Sequence, residues 1–136
     1  MQGTILLYDF DGNAVDIFAE GKPVYLKVWA SWCPSCLEGL DELNALFAEE
    51  LDFKLVTIVT PELSGEMTEE DFIVWLGGLE QQNIEVLFDR GAAMVQDLGI
   101  RAFPTSVYFN SKGNAVGMRV GHNENEFIKK TMAEVK

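Results

Sequence analysis

Two cysteines, Cys33 and Cys36, are the residues of this chain whose type and spacing point most directly to chemistry. They are the only cysteines, and Pro34 and Ser35 separate them. Residues i and i+3 at the start of a helix share one face, so the two sulfurs could form or break a disulfide bond with little movement of the backbone. The pair therefore predicts a redox-active disulfide, a site that requires no cofactor.

The position of Cys33 favours the thiolate over the thiol. A β-branched apolar run at 24–30 ends just before it and a helical pattern begins at Leu37, which places Cys33 at a helix start. Amide N–H groups there lack partners within the helix, and the helix dipole is positive; Pro34 suits a first turn. Helix-start thiols of such motifs have pKa values of roughly 3.5 to 7.5, against about 8.5 for a free thiol. We expect Cys33, the more exposed sulfur, to attack a disulfide and Cys36 to resolve the mixed disulfide.

Other interpretations of the cysteine pair are less well supported. A structural zinc site needs four ligands, and His122 is the only histidine that could join the two cysteines. A static disulfide, or a pair of inert buried cysteines, would not need the strand-then-helix setting. The Cys-x-x-x-Cys spacing of copper delivery is absent. A non-catalytic metal-binding or interaction domain is the alternative from another functional class.

The residues around the cysteines resemble thioredoxin. From Lys27 to Cys36 the sequence reads KVWASWCPSC, and a Phe-Pro-Thr segment follows far downstream at Phe103, Pro104 and Thr105. The resemblance covers nearly the whole chain and implies a thioredoxin fold. The connection between the two motifs is longer than in ordinary thioredoxin, which implies an inserted helix and strand. This insertion is similar to that of the extracytoplasmic TlpA/ResA-type thiol-disulfide oxidoreductases.

The resemblance also implies roles for residues near the cysteines. Pro104 corresponds to the cis-proline that lies opposite the active-site disulfide in thioredoxins, where neighbouring backbone groups pair with an extended substrate. Trp32 is expected as a surface platform beside Cys33, whereas Trp29 is expected in the core. The residues expected to bind substrate or shape the site are Trp32, Pro34, Ser35, Phe103, Pro104 and Thr105.

Two positions depart from the family patterns. Lys27 stands where thioredoxins have a buried aspartate, and Gly39 stands where many TlpA/ResA-type proteins have a glutamate. Glu38 is adjacent, but one residue along a helix turns the side chain by about 100°, so we do not expect it to substitute. Lys27 could assist deprotonation of Cys36 from beneath the site, or its amine could extend to the strand edge. The sequence does not decide between these two.

The segment around the cysteines is also similar to a narrower group, the surface thioredoxin modules that reduce, or are fused to, bacterial methionine sulfoxide reductases. The matching positions are Lys27, Trp29 to Cys33, Cys36, Leu37 and Leu40. This similarity implies reduction of protein disulfides, electron donation to a methionine sulfoxide reductase, and re-reduction by a membrane thiol donor. A cytochrome c maturation reductant and a disulfide-forming oxidant are the alternatives within the same class.

Composition sets wider limits. A length of 136 residues suits one domain, so we expect a single thioredoxin-like domain over residues 1–136. The 48% hydrophobic and 11% aromatic content is that of a globular chain. The formal net charge of −12 argues against nucleic acid and anionic membranes as partners. We expect a monomer that meets basic or neutral proteins.

The sequence also bears on location. It contains no apolar run of about 18 residues, the length needed to span a membrane, and residues 1–4 lack the basic and apolar regions of a signal peptide. From the TlpA/ResA resemblance we expect an extracytoplasmic protein, periplasmic or at the cell surface. An export signal or anchor is then expected upstream of Met1.

Apolar runs and turn signals predict a mixed β-sheet with helices on both faces. Predicted strands cover 4–10, 24–30, 53–60, 84–88, 105–109 and 115–120; predicted helices cover 33–49, about 68–79, the segment after Gly91 that ends before Gly99, and 124–135, with a helical turn at 16–19. A mobile loop is expected at 62–68. The acidic residues of the first helix are expected to face solvent: Glu38, Asp41, Glu42 and Glu49. The cysteines then lie at the carboxyl end of a strand, where open α/β sheets place their sites.

Overall fold

The computed structural model describes residues 5–136. The strands are β1 (Leu7–Tyr8), β2 (Ala14–Val15), β3 (Val24–Val28), β4 (Lys54–Val59), β5 (Leu87–Phe88), β6 (Thr105–Phe109) and β7 (Ala115–Val120). The helices are α1 (Pro34–Glu38), α2 (Leu40–Phe47), α3 (Glu69–Gly77), α4 (Ala93–Leu98) and α5 (Asn125–Ala133). Short 3-10 turns cover Leu63–Gly65 and Arg90–Ala92.

The strands form one seven-stranded sheet in the order β2-β1-β5-β4-β3-β6-β7. The β3–β4 and β4–β5 pairs are parallel, and the remaining pairs are antiparallel. This is the predicted mixed sheet of a thioredoxin fold, and α3 and β5 occupy the stretch in which an inserted helix and strand were expected. Within residues 5–136, no helix is long and apolar enough to cross a membrane.

Helices cover both faces of the sheet, which explains why every residue of β3 is buried. Leu26 and Val28 belong to a core cluster with Met94 and Val95 of α4. Tyr25 of β3 and Trp29, which directly follows β3, face the other way: Tyr25 packs with α2 and α5, and Trp29 packs with the cysteines and α3. The expected core position of Trp29 is confirmed, since only 1% of its surface is exposed.

Several predicted boundaries were wrong. The helix predicted at 33–49 is two helices, because Gly39 separates α1 from α2. The first predicted strand is only β1, its residue 4 lying outside the described residues, and the strand predicted at 84–88 is regular only at β5. The two-residue strand β2 was not predicted. By contrast, the start of α3 and the end of α4 lie close to the predicted positions: Thr68 caps α3 by accepting a hydrogen bond from Asp71 N–H, and Gly99 ends α4 with a φ of 68°.

Candidate redox site

Cys33 lies just beyond the carboxyl end of β3 and caps the N-terminus of α1. Its sulfur accepts a hydrogen bond from the backbone N–H of Cys36 over 3.3 Å. Pro34 is the first residue of α1, so its lack of an N–H removes no helical hydrogen bond. The cysteine pair therefore stands at the helix start that the sequence predicted.

Neither cysteine is in a disulfide, so the structure describes the dithiol state. The Cys33 sulfur lies 3.4 Å from Oγ of Ser35 and 3.6 Å from the carbonyl oxygen of Phe103. Cys33 is the more exposed of the two cysteines, as expected, but both are buried: Cys33 exposes 4% of its surface and Cys36 exposes 1%. The Phe103 carbonyl comes from a distant loop that lies against the first sulfur, which is why local sequence did not indicate this burial.

The two thiols differ strongly in acidity. Burial raises the pKa of the Cys33 thiol, but hydrogen bonds from the side chains of Cys36 and Ser35 and from their backbone N–H groups outweigh burial and hold that pKa below its ordinary value. Burial, followed by the hydrogen bond to Cys33, raises the pKa of Cys36 to about 12. The first sulfur is therefore suited to attack as a thiolate, whereas the second needs a base.

The residues expected to shape the site do lie together. The Phe103–Pro104 peptide bond is cis, as the thioredoxin resemblance implied. The rings of Trp32 and Phe103 meet edge to face with centroids 5.7 Å apart, and Trp32 is 45% exposed. Thr105 donates its hydroxyl hydrogen bond to the carbonyl of Ala102 over 2.6 Å. The rings of Trp32 and Phe103 thus form a partly exposed apolar surface next to Cys33. The Thr105–Ala102 hydrogen bond lies in the loop that carries Phe103.

Glu66 is a residue of the site that the sequence did not reveal. Its buried carboxylate accepts hydrogen bonds from Ser31 N–H at 2.8 Å, from the Ser31 hydroxyl at 2.5 Å and from Met67 N–H at 2.9 Å. Ser31 lies two residues before Cys33, so these contacts join the active-site loop to the segment 62–68. That segment was predicted as a mobile loop, but a buried, triply hydrogen-bonded carboxylate ties it to the site.

Lys27 is buried, with 4% exposure, and close enough to both cysteines for their charges to act on its pKa, so its predicted alternative position at the strand edge is wrong. Its Nζ lies 3.5 Å from Nδ1 of His122, and Nε2 of His122 lies 2.9 Å from Glu42. Glu42 was expected to face solvent; its side chain is 38% exposed, and it also contacts His122 and Asn125. Within residues 5–136, no group of three or more His, Cys, Asp or Glu side chains could hold a metal ion.

A dithiol at a helix start, beside a cis-proline and on this mixed sheet, defines a thioredoxin-like thiol-disulfide oxidoreductase. The sequence model of the Redoxin family matches residues 4–135, and the chain belongs to that family. Within it, the chain is of the TlpA/ResA type, whose members act on protein thiols and disulfides.

The chain is similar to several individual proteins. It is 43% identical over 104 residues to an uncharacterised protein of Haemophilus influenzae, covering 76% of this chain and 67% of that protein. It is 24% identical over 132 residues to the thiol-disulfide oxidoreductase ResA of Halalkalibacterium halodurans, covering 96% of this chain and 73% of ResA. The crystal structure of the pneumococcal exposed lipoprotein thioredoxin Etrx1 from Streptococcus pneumoniae superposes with a TM-score of 0.88 at 33% identity, covering 98% of this chain and 100% of the other.

Proposed function

We propose that Cys33 is the attacking thiolate and Cys36 the resolving thiol in reduction of protein disulfides. The Cys33 thiolate forms a bond to one substrate sulfur and expels the other as a thiolate. Cys36, once deprotonated, attacks Sγ of Cys33, so the Cys33–Cys36 disulfide forms and the second substrate thiolate leaves. Two electrons pass to the substrate. The observation that carries this order of events is the opposite shift in the pKa values of the two thiols.

The proposed substrate is an oxidised methionine sulfoxide reductase. In such enzymes the catalytic cysteine becomes a sulfenic acid and then a disulfide, which this dithiol could reduce. The segment from Lys27 to Leu40 is similar to the thioredoxin modules that serve these reductases, and this similarity supports the choice. Trp32 and Phe103 offer an apolar contact surface beside Cys33 for the partner.

The proposed location is extracytoplasmic, with re-reduction by a membrane thiol donor. The support is the likeness over nearly the whole chain to an exposed lipoprotein thioredoxin. A net charge of −12 favours encounter with a basic face of either partner.

The redox potential tests the direction of electron flow. Equilibration with glutathione buffers should give a potential nearer thioredoxin's, about −270 mV, than that of a strong oxidant, about −120 mV. A value above about −150 mV would refute the reductant proposal and favour a disulfide-forming oxidant.

Transfer kinetics test the partner. Reduced protein mixed with oxidised methionine sulfoxide reductase should show a fast change in the fluorescence of Trp29 and Trp32. The Cys36→Ser variant should accumulate a mixed disulfide, and Cys33→Ser should form none. An oxidised Cys-x-x-Cys-His peptide serves as the comparison substrate: faster transfer to this peptide than to the reductase would favour the cytochrome c maturation alternative.

A further inference from the structure

Lys27 carries an amine that is buried in the protein, with 4% of the residue exposed. It lies on β3 on the same face as Tyr25 and Trp29, opposite Ser106 of β6. Burial lowers the pKa of its amine, against the opposing effects of Cys36, Glu42 and Cys33. A buried amine whose pKa is lowered can release its proton as well as accept one, so Lys27 is suited to proton transfer rather than to a fixed ion pair.

His122 connects Lys27 to the surface. Its ring lies between the two residues, with Nδ1 3.5 Å from the Lys27 amine and Nε2 2.9 Å from Oε2 of Glu42. An ionised carboxylate only accepts hydrogen bonds, so the imidazole tautomer that donates to Glu42 carries its proton on Nε2 and turns the lone pair of Nδ1 toward Lys27. The exposed fractions of the His122 and Glu42 side chains are 27% and 38%. The series Lys27, His122, Glu42 therefore runs from the buried site to solvent.

Two features fix this arrangement. Glu42 accepts a hydrogen bond from Asn125 N–H over 2.7 Å, and the Asn125 amide donates to the Glu42 carbonyl over 2.8 Å, which holds α2 against the start of α5. Gly39 provides the space: a Cβ there would lie 2.7 Å from Nδ1 of His122 and 3.5 Å from the Lys27 amine. Similar proteins carry a glutamate at this position. Here Gly39 has no side chain, and the imidazole of His122 occupies the space.

We propose that Lys27, His122 and Glu42 form a proton route that carries the proton of the Cys36 thiol to solvent when Cys36 releases a substrate from Cys33. The amine of Lys27 accepts the thiol proton and leaves a thiolate beside an ammonium. Nδ1 of His122 accepts a proton from Lys27, and the resulting imidazolium, paired with Glu42, passes it to water.

The electron balance is that of the resolving step. The Cys36 thiolate supplies the electron pair of the new Cys33–Cys36 bond, and the substrate sulfur leaves with the pair of the broken bond. This inference rests on the cysteine roles proposed above. It explains how a thiol whose pKa burial raises to about 12 can react near neutral pH.

Dithiobis(nitrobenzoate), an aromatic disulfide, separates the two steps optically. Attack by Cys33 releases one thionitrobenzoate, and displacement by Cys36 releases the second. We expect His122→Gln to leave the first phase unchanged and to slow the second at least about tenfold, since a positioned acid–base group typically contributes roughly 10²–10⁴-fold. If the wild-type protein showed no first phase, that result would instead contradict the proposed role of Cys33.

Added imidazole distinguishes proton transfer from packing. The second phase of His122→Ala, which removes the ring and leaves its place open, should accelerate with imidazole concentration, because the His122 side chain is 27% exposed and a buffer molecule can reach that place. The wild-type second phase should not respond. A second phase within about twofold of wild type, or a slow one that imidazole does not restore, would overturn the route.

Lys27→Met gives a second readout. The charge of Lys27 lowers the pKa of Cys36, although burial is the larger, opposite effect, so this variant should move the pH profile of the second phase to higher pH. The groups that act on Lys27 are Cys36, Glu42, Cys33 and His122, and the nearby Tyr25 and Tyr108 are kept neutral because burial raises the pKa of both. An unmoved profile would contradict the proposal.

A matched control lies further along the same acidic surface. Glu42→Gln should slow the second phase, whereas Glu49→Gln should not, because Glu49 pairs with Lys129 at 3.0 Å, away from the site. Equal effects of the two substitutions would also overturn the proposal.

Discussion

Cys33 and Cys36 are both buried, yet hydrogen bonding gives them opposite acidities. Cys33 caps α1 and receives hydrogen bonds, whereas Cys36 lies within the helix and donates one. The sequence predicted the direction of the Cys33 shift from the helix start alone. It could not predict the burial of Cys33, because the Phe103 carbonyl that lies against its sulfur is 70 residues away in sequence.

A first prediction concerns Ser35, whose hydroxyl lies 3.4 Å from the Cys33 sulfur. Ser35→Ala should raise the pKa of Cys33 toward its ordinary value, because one stabilising hydrogen bond to the thiolate is lost. A bond of about 1 kcal/mol corresponds to about 0.7 pKa unit. The rate of iodoacetamide alkylation against pH, measured in the Cys36→Ser background, gives the value.

Ser111→Ala is the control for this prediction, since the Ser111 hydroxyl bonds the carbonyl of Lys136, away from the site. It should leave the alkylation profile in place. A Cys33 pKa that stays the same in Ser35→Ala would show that the backbone N–H groups alone stabilise the thiolate.

The contact of Lys27 with His122 could not be predicted from the sequence. Lys27 was predicted as a candidate because it stands where thioredoxins have a carboxylate. Its place in the sequence was compatible with two positions of the amine. His122 and Glu42 are 80 residues apart. No local pattern pairs them, and Glu42 falls on a helix whose periodicity predicts a solvent-facing position.

At the scale of elements, the long apolar runs were predicted well. The runs at 24–30 and 53–60 became β3 and β4, since β-branched residues covered on both faces leave little ambiguity. Two-residue strands such as β2 carry no periodic signal. The break at Gly39 was not predicted because the apolar spacing of a helix continues through it; Gly39 lies against the ring of His122, from the other end of the chain.

A second prediction concerns the Glu66 contact between the active-site loop and the segment 62–68. Glu66→Ala should lower the free energy of unfolding by about 1 to 3 kcal/mol, because the partly buried N–H groups of Ser31 and Met67 lose their acceptor. Urea denaturation monitored by tryptophan fluorescence measures the change. Glu66→Gln, which keeps one oxygen, should cost less.

Glu70→Ala provides the comparison, because Glu70 is exposed on α3 and carries the same charge. Its effect should stay within about 0.5 kcal/mol. If the two alanine variants were equally stable, the Glu66 contacts would not anchor the loop.

At the scale of the whole molecule, charge is the dominant property. Acidic residues outnumber basic ones by 22 to 10, and several basic side chains are already paired, as Lys54 is with Glu20 and Arg90 with Glu69. The surplus acidic groups create a negative field that extends about 10 Å at 0.1 M salt. Such a field changes the association rate of two molecules more than it changes the affinity of their complex.

The last prediction follows from this field and needs no protein partner. Cystamine is a dicationic disulfide and dithiobis(nitrobenzoate) a dianionic one, and both are attacked first by Cys33. Because salt screens attraction and repulsion alike, the rate constant for cystamine should fall as sodium chloride rises, while that for dithiobis(nitrobenzoate) should increase. Stopped-flow tryptophan fluorescence follows both reactions. Reversed slopes, with cystamine accelerated and dithiobis(nitrobenzoate) slowed by salt, would contradict the prediction and mean that nearby cations such as Lys27 and Arg101 set the local potential instead of the net charge of −12.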